Sequence, residues 1–143
     1  MMIETDILYA FVKKSDWLKP VADKLLLMVK EGKLGEVSAS REALHELYYV
    51  SKEEGIEINE MLTRFAALTS IDNLVFLPTT TEVDLLSIVL MQQYMLSSIF
   101  DAYHAATALN QVSDHTIIST DTVFDRVPGL KRINPEEIIE KNN

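Results

Sequence analysis

Six acidic residues fall at places in the chain where their carboxylates can gather around a divalent cation. They are Glu4, Asp6, Glu46, Asp101, Asp121 and Asp125. Carboxylate oxygens are hard ligands, and the chain has no cysteine, so such a cluster favours Mg²⁺ or Mn²⁺ over zinc. These ions lower the pKa of bound water and stabilise the leaving oxygen during attack on phosphorus. The residue types therefore predict cleavage of a phosphodiester bond by metal-activated water, without a covalent nucleophile.

The elements that must position these acids alternate between strands and helices. Short apolar runs predict strands at residues 3–5, 37–39, 74–77, 116–118 and 130–133. Helical spacing and polar caps predict helices at residues 7–14, 17–30, 40–54, 59–69, 81–96 and 101–110, with a last helix from Pro135. This alternation predicts a single α/β domain over residues 1–143: a three-layer sandwich with a central, mostly parallel sheet flanked by helices.

This topology would bring the acids to one edge of the sheet. In open parallel sheets, ligands bind beyond the carboxyl ends of the strands. Glu4 and Asp6 lie at the end of the first strand, and Asp121 follows the strand at 116–118. Glu46 lies one turn into the helix after the second strand, and Asp101 opens a later helix. Both flank the apolar stripe of their helix, so their carboxylates can reach the end of the sheet.

Each acid also has an ordinary structural interpretation, which spacing alone leaves open. Asp6 can be only the N-cap of the first helix, and Asp101 only the capping-box partner of Ser98. A similar box is predicted at residues 81–84. Asp121 can be a turn residue, and Glu46 can be a solvated helix acid, since the chain has 22 acidic residues.

The charge balance restricts the function classes. Lys and Arg number 13 against 22 Asp and Glu, which gives a net charge of −9. This argues against a general nucleic-acid coat protein, which would be basic, whereas acids around a cation are neutralised within their site. The N-terminus is charged within four residues, and the longest apolar stretch, at 83–95, is interrupted by polar side chains. We therefore expect no signal peptide, no membrane span and a cytoplasmic location.

The acids lie within four short motifs. Residues 3–8 read Ile-Glu-Thr-Asp-Ile-Leu, and residues 37–40 read Val-Ser-Ala-Ser, with Glu-Leu-Tyr following at 46–48. Residues 101–108 read Asp-Ala-Tyr-His-Ala-Ala-Thr-Ala, and residues 118–125 read Ile-Ser-Thr-Asp-Thr-Val-Phe-Asp. Together with Pro135 after Arg-Ile-Asn, these motifs resemble those of the PIN-domain ribonucleases, a family that includes the VapC toxins of toxin–antitoxin pairs. The third and fourth motifs carry most of the specificity.

The resemblance covers essentially the whole chain and implies both a fold and a function. It implies a parallel sheet with helices on both faces, and cleavage of RNA that depends on Mg²⁺ or Mn²⁺. The implied metal ligands are Glu46, Asp101 and Asp121, with Asp125 auxiliary and Thr120 supplying a small hydroxyl beside the site. A toxin of this kind is expected to be an endoribonuclease that forms a homodimer and binds a small antitoxin protein over its acidic cleft.

The first motif departs from the family pattern. Glu4 stands where the family has aspartate, and Asp6 stands where asparagine or serine is usual. Glutamate is longer by one methylene, so its carboxylate would bind the metal from a shifted position. We expect both Glu4 and Asp6 to face the metal and Asp6 to belong to the catalytic set. The sequence leaves open which of the two is the first ligand.

Two alternatives to a nuclease remain open. The departure at Glu4 and the net charge of −9 favour a PIN-fold binding or scaffold protein with little or no nuclease activity. A receiver-like phosphoryl-accepting domain also uses an acidic metal pocket, but it needs a lysine after a late strand, and Lys131 precedes Ile133. Substrate contacts would come from scattered basic residues: Lys13, Lys14, Arg41 and Arg126. We interpret the three histidines as surface or packing residues: His45, His104 and His115.

Overall fold

The alternation of strands and helices predicted from the sequence is present in the computed structural model, which describes residues 1–142. The strands in this range are β1 (Met2–Ile3), β2 (Val37–Ser40), β3 (Leu74–Leu77), β4 (Thr116–Ile118) and β5 (Lys131–Ile133). The helices are α1 (Thr5–Val12), α2 (Lys19–Lys30), α3 (Glu42–Glu53), α4 (Ile58–Thr69), α5 (Thr81–Tyr94), α6 (Ile99–Gln111) and α7 (Pro135–Lys141). A short 3-10 helix, which the sequence reasoning missed, covers Thr122–Arg126.

The five strands form one sheet in the order β3-β2-β1-β4-β5, and every pairing is parallel. β1 is central: Met2 pairs with Ser38 of β2 on one side and with Ile117 of β4 on the other. Because all strands run in one direction, their carboxyl ends meet at a single edge of the sheet. The prediction of an α/β sandwich around a parallel sheet is confirmed.

The sheet separates two buried apolar clusters, one on each face. Neighbouring strand residues point to opposite faces, so Ile3 and Ile118 pack in the cluster that includes α1 and α2. Met2 and Ile117 pack in the other cluster, with residues of α5, α6 and the 3-10 helix. Such two-sided burial explains why these strands read as continuous apolar runs.

Alanines on α6 bring that helix close to its neighbours. Ala102, Ala105, Ala106 and Ala108 are all completely buried. Their small side chains allow the backbone of α6 to approach the core closely, which places the first turn of α6, with Asp101, near the edge of the sheet. The apolar stripe predicted from the sequence thus has a direct role in positioning an acid.

The cap of α1 differs from the prediction. The strand prediction at residues 3–5 runs too far, because β1 ends at Ile3 and α1 begins at Thr5. Glu4 is therefore the N-cap, in an extended conformation, and its carboxylate accepts a hydrogen bond from the backbone N–H of Asp6. The alternative in which Asp6 is only the N-cap is therefore excluded, and Asp6 lies inside the first helical turn, where a negative charge is favourable.

The caps of α5 and α6 give one correction and one confirmation. Thr80 caps α5, and its hydroxyl accepts from the N–H of Val83 at 3.2 Å, so the capping box predicted at 81–84 was placed one residue late. Ser98 caps α6 as predicted, although α6 begins at Ile99 rather than at Asp101. Within the described residues, no single helix has both the length and the apolar composition to cross a membrane. Only α5 and α6 taken together meet both criteria, and the chain bends by 114° between them.

Phe124 in the 3-10 helix offers a test of the core on the α6 side of the sheet. Its side chain is 0% exposed. We expect Phe124→Ala to lower the free energy of unfolding by about 3–5 kcal/mol, because it removes buried apolar area and leaves a cavity. Leu62→Ala, at a side chain 70% exposed, should change it by less than about 0.5 kcal/mol. Urea denaturation measures both, and equal midpoints for the two variants would contradict this packing.

Candidate metal centre

The acids gather in a cavity of about 310 Å³ at the carboxyl end of the sheet. We call it the acidic cavity. Its lining consists of Glu4, Thr5, Asp6, Tyr9, Glu46, Val50, Ser98, Asp101 and Asp121. Five of the six acids predicted from the sequence therefore lie together, and no lysine or arginine is among these lining residues. Asp125 is not part of the lining.

Different elements deliver these side chains to the same place. Glu4 directly follows β1, and Asp6 lies in the first turn of α1. Glu46 lies on α3, which starts two residues after β2 ends, and Asp101 lies in the first turn of α6. Asp121 ends the loop after β4. The acids thus come from segments that are distant in sequence and adjacent only in the parallel fold.

Thr120 is held against Asp6 rather than placed alone beside the cavity. The Oδ2 atom of Asp6 accepts from the backbone N–H of Thr120 at 2.9 Å and from its hydroxyl at 2.6 Å. The Oδ1 atom accepts from the N–H of Ile7 at 2.8 Å. Three donors therefore fix the carboxylate of Asp6 and connect the loop after β4 to α1.

Asp121 has a structural role as well as a place in the acidic cavity. Its Oδ1 atom accepts from the N–H of Val123 at 2.9 Å and caps the 3-10 helix. Its own N–H donates to the hydroxyl of Ser119 at 3.0 Å. The turn interpretation and the site interpretation of Asp121 are therefore compatible, since one carboxylate oxygen serves the cap.

A buried histidine positions Glu46. The Nε2 atom of His104 lies 2.9 Å from Oε1 of Glu46 and 2.9 Å from Oγ1 of Thr5. Because an ionised carboxylate only accepts, Nε2 carries the proton that is donated to Glu46. Burial alone would raise the pKa of Glu46, but the hydrogen bonds from His104 and Thr5 outweigh it, and the pKa lies below its ordinary value. Glu46 is therefore held in its charged form.

Burial, together with the crowding of like charges, shifts the pKa values of two other acids in the opposite direction. Burial raises the pKa of Glu4 well above its ordinary value, and the nearby charges of Asp6 and Glu46 add to this. Burial, followed by the charges of Glu46 and Asp121, raises the pKa of Asp101 to about 6. A divalent cation would relieve both effects. The oxygen-rich donor set fits Mg²⁺ or Mn²⁺, and Glu4, Glu46 and His104 offer atoms within 4.8 Å of one another.

Two other predicted residues are engaged outside the acidic cavity. Both carboxylate oxygens of Asp125 accept from Arg132, at 3.0 Å and 3.2 Å, so an auxiliary ligand role for Asp125 would require breaking a bidentate ion pair and stays a prediction. Lys13, predicted to contact substrate, lies 3.4 Å from Asp16 and 3.2 Å from Glu54. Because Asp125 and Lys13 are engaged in these ion pairs, the sequence alone overstates how many charged groups are free to bind a metal ion or RNA.

His104 is the site residue that sequence reasoning missed. The side chain of His104 is only 1% exposed, so its interpretation as a packing residue is correct. That interpretation did not include the hydrogen bond between His104 and Glu46. A signal existed: His104 follows Asp101 by three residues on α6, and side chains spaced in this way share a helix face. His45, in contrast, is at the surface and contacts Glu42.

The model of the PIN domain family matches residues 1–130. The chain belongs to the PIN domain family. No curated protein sequence matches this PIN domain significantly.

Two solved structures share the PIN fold with this chain. One is a VapC toxin of Mycobacterium tuberculosis that cleaves the sarcin-ricin loop, with 15% identity and a TM-score of 0.70 over 87% of this chain and 92% of that one. The other belongs to a toxin–antitoxin complex from Klebsiella pneumoniae, with 22% identity and a TM-score of 0.62 over 94% and 96%. At these identities the likeness concerns the fold.

The raised pKa of Asp101 predicts how the metal-free PIN domain responds to pH. An ionised Asp101 destabilises the fold, so stability should fall as pH rises from about 4 to about 6 and stay lower above that. Asp101→Asn removes this loss. We expect it to stabilise the metal-free protein by about 1 kcal/mol near neutral pH, allowing for solvent screening of a partly exposed group, and by nothing near pH ~4.

Thermal unfolding in a chelator across this pH range measures the effect of Asp101→Asn. The exposed Asp72→Asn is the matched control, because it removes one negative charge before β3, at the other end of the sheet. Identical midpoints for the wild type and Asp101→Asn at every pH would show that burial and the neighbouring carboxylates do not raise the pKa of Asp101.

His104 should contribute to metal affinity without being a required ligand. His104→Leu keeps most of the buried volume but donates no hydrogen bond to Glu46, so we expect Mn²⁺ to bind about 10- to 100-fold more weakly. His104→Gln retains a donor and should lose less. Calorimetric titration with Mn²⁺ measures the difference, and native affinity in a folded His104→Leu variant would exclude the positioning role.

Proposed function

We propose that this PIN domain is a metal-dependent endoribonuclease that uses Mg²⁺ or Mn²⁺ and acts as the toxin of a cytoplasmic toxin–antitoxin pair. The observation that carries the proposal is the convergence of five carboxylates in one cavity without a basic residue in its lining. A bound cation would offset the repulsion among these carboxylates. Family membership and the toxin folds of the two similar structures support the same function.

Each acid has a defined part in this proposal. Glu46, Asp101 and Asp121 would hold the cation, with Asp6 and Glu4 also facing it. The cation would lower the pKa of an attacking water and stabilise charge on the phosphate. His104 and Thr5 keep Glu46 ionised and fixed, and Thr120 fixes Asp6. Because these donors are already in place, little reorganisation would be needed when substrate binds.

The proposed partners are an RNA strand, an antitoxin protein and a second copy of the chain. The described similarity to a chain from a toxin–antitoxin complex supports the antitoxin. An exposed apolar stripe on α5 supports the homodimer, because Leu85, Ile88 and Val89 are 67%, 58% and 41% exposed at helical spacing.

A binding protein of PIN fold without nuclease activity is the second candidate. One observation favours it: the carboxylate of Glu4, which replaces the family's aspartate, is buried and caps α1 through the N–H of Asp6. One of the two carboxylate oxygens of Glu4 is engaged by this cap, which leaves it fewer free lone pairs for a cation than an uncommitted carboxylate has. Asp6 would then have to supply the ligand that Glu4 does not.

Cleavage of a labelled RNA separates the two candidates. With Mn²⁺ present, we expect the wild type to cleave and Asp101→Asn to lose about 100-fold or more of the rate, because a charged ligand at the cation is removed. Asp72→Asn should cleave like the wild type, and a chelator should abolish cleavage. Equal residual cleavage by the wild type and Asp101→Asn would indicate a contaminant and favour the binding protein.

A further inference from the structure

A second cavity, which we call the aromatic pocket, lies beside the acidic cavity. Its volume is about 520 Å³, within the range of small-molecule sites. Its lining consists of Glu42, His45, Tyr48, Tyr49, Phe65, Ile99, Phe100 and Tyr103. Five of these eight side chains are aromatic, and none of the residues takes part in the metal centre described above.

The aromatic pocket and the acidic cavity are built on the same two helices. On α3, Glu46 lines the acidic cavity, while His45 and Tyr49 line the aromatic pocket. On α6, Asp101 lines the acidic cavity, and the preceding Phe100 lines the aromatic pocket. The rings of Tyr49 and Phe100 join the two helices, with centroids 5.7 Å apart. The two cavities therefore lie next to each other along α3 and α6.

The aromatic rings are accessible to a ligand. Tyr49 is 58% exposed and Tyr48 is 36% exposed, and their rings meet edge to face at 5.9 Å. Phe100 is only partly buried. Exposed aromatic rings of this kind bind the faces of nucleobases, because every base presents a flat π-surface whatever its sequence.

One rim of the aromatic pocket is polar and suits the edge of a base rather than a phosphate. Glu42 accepts from the hydroxyl of Thr79 at 3.0 Å and lies 2.8 Å from Nδ1 of His45. A carboxylate repels phosphate but accepts hydrogen bonds from the amino groups of bases. The charge of Glu42 therefore disfavours a phosphate in the aromatic pocket and is compatible with a base there.

Because basic side chains are missing from the lining of the acidic cavity, RNA affinity there needs another source, and the aromatic pocket can supply it. Lysine and arginine are absent from the residues that line either cavity. Neutralisation of phosphates by basic side chains, the usual source of RNA affinity, is therefore small at these two places. We propose that the aromatic pocket binds a nucleobase of the RNA strand next to the scissile phosphate, an inference that rests on the proposed nuclease function.

Binding of a short single-stranded RNA that carries 2-aminopurine tests this inference. The measurement uses the full chain in the Asp101→Asn background with Mg²⁺, so that the probe stays intact. We expect Tyr49→Ala to raise the Kd about 5- to 100-fold, the effect of losing one stacked base, and to abolish quenching of the 2-aminopurine at one position. Tyr49→Phe keeps the ring and should bind like its parent.

Two controls make the result specific. Leu62→Ala removes an apolar side chain that is 70% exposed, against 58% for Tyr49, from a neighbouring cavity that Phe100 and Tyr49 do not line, and it should leave the Kd unchanged. An abasic residue moved along the probe should cancel the effect of Tyr49→Ala at one position only. Because Tyr49 is mostly exposed, its replacement should not impair folding, which circular dichroism checks.

The outcomes distinguish this inference from the proposed nuclease function. If Tyr49→Ala binds the probe as tightly as its parent, the nucleobase site is excluded, whether or not the wild type cleaves RNA; the pocket would then be free for a protein partner. Equal weakening by Tyr49→Ala and Leu62→Ala would likewise exclude it. If the wild type does not cleave but the position-specific quenching depends on Tyr49, the nucleobase site stands and the nuclease function fails.

Discussion

Electrostatic repulsion among the carboxylates of Glu46, Asp101 and Asp121 is the constraint around which the rest of the structure is arranged. Like charges this close destabilise a fold unless something holds or neutralises them. Here hydrogen-bond donors hold three of the acids in place: His104 holds Glu46, Thr120 holds Asp6, and the N–H of Val123 holds Asp121. Within residues 1–142 no hydrogen bond reaches the carboxylate of Asp101, and burial together with the charges of Glu46 and Asp121 raises its pKa to about 6. The same carboxylates that repel one another would attract a divalent cation, which would offset their repulsion.

The parallel sheet makes that crowding possible. A two-residue central strand, β1, places Glu4 and the first turn of α1 beside the loop that follows β4. The alanine face of α6 lets Asp101 approach from one side, while α3 brings Glu46 from the other. The same two helices carry the aromatic pocket, so cation binding and base binding would be set by a single packing geometry.

The sequence was sufficient to predict most of the fold, because its strands and helices have regular periodicity. The strands at 74–77 and 116–118 are where the apolar runs placed them, and Ser98 caps α6 as its spacing predicted. The convergence of five acids followed from the rule that ligands bind at the carboxyl ends of parallel strands. Local sequence patterns were thus enough to predict the strands and helices and the edge of the sheet where the acids meet.

What the sequence did not show depends on contacts between distant residues. The contacts of His104 with Glu46 and Thr5 join positions 58 and 99 residues apart, and no periodicity encodes them. The pairing of Asp125 with Arg132 engages an acid that the motif alone presents as free, and this contact is also absent from any local pattern. The capping role of Glu4 depends on a strand ending after two residues, a boundary that local propensity does not fix.

Anomalous diffraction from crystals soaked in Mn²⁺ tests the central claim most directly, because it locates the ion without reference to activity. The account predicts a Mn²⁺ peak in the acidic cavity, within about 2.0–2.4 Å of carboxylate oxygens that include one from Asp101. An ordered Mn²⁺ bound elsewhere, or no peak within ligand distance of Asp101, would contradict it.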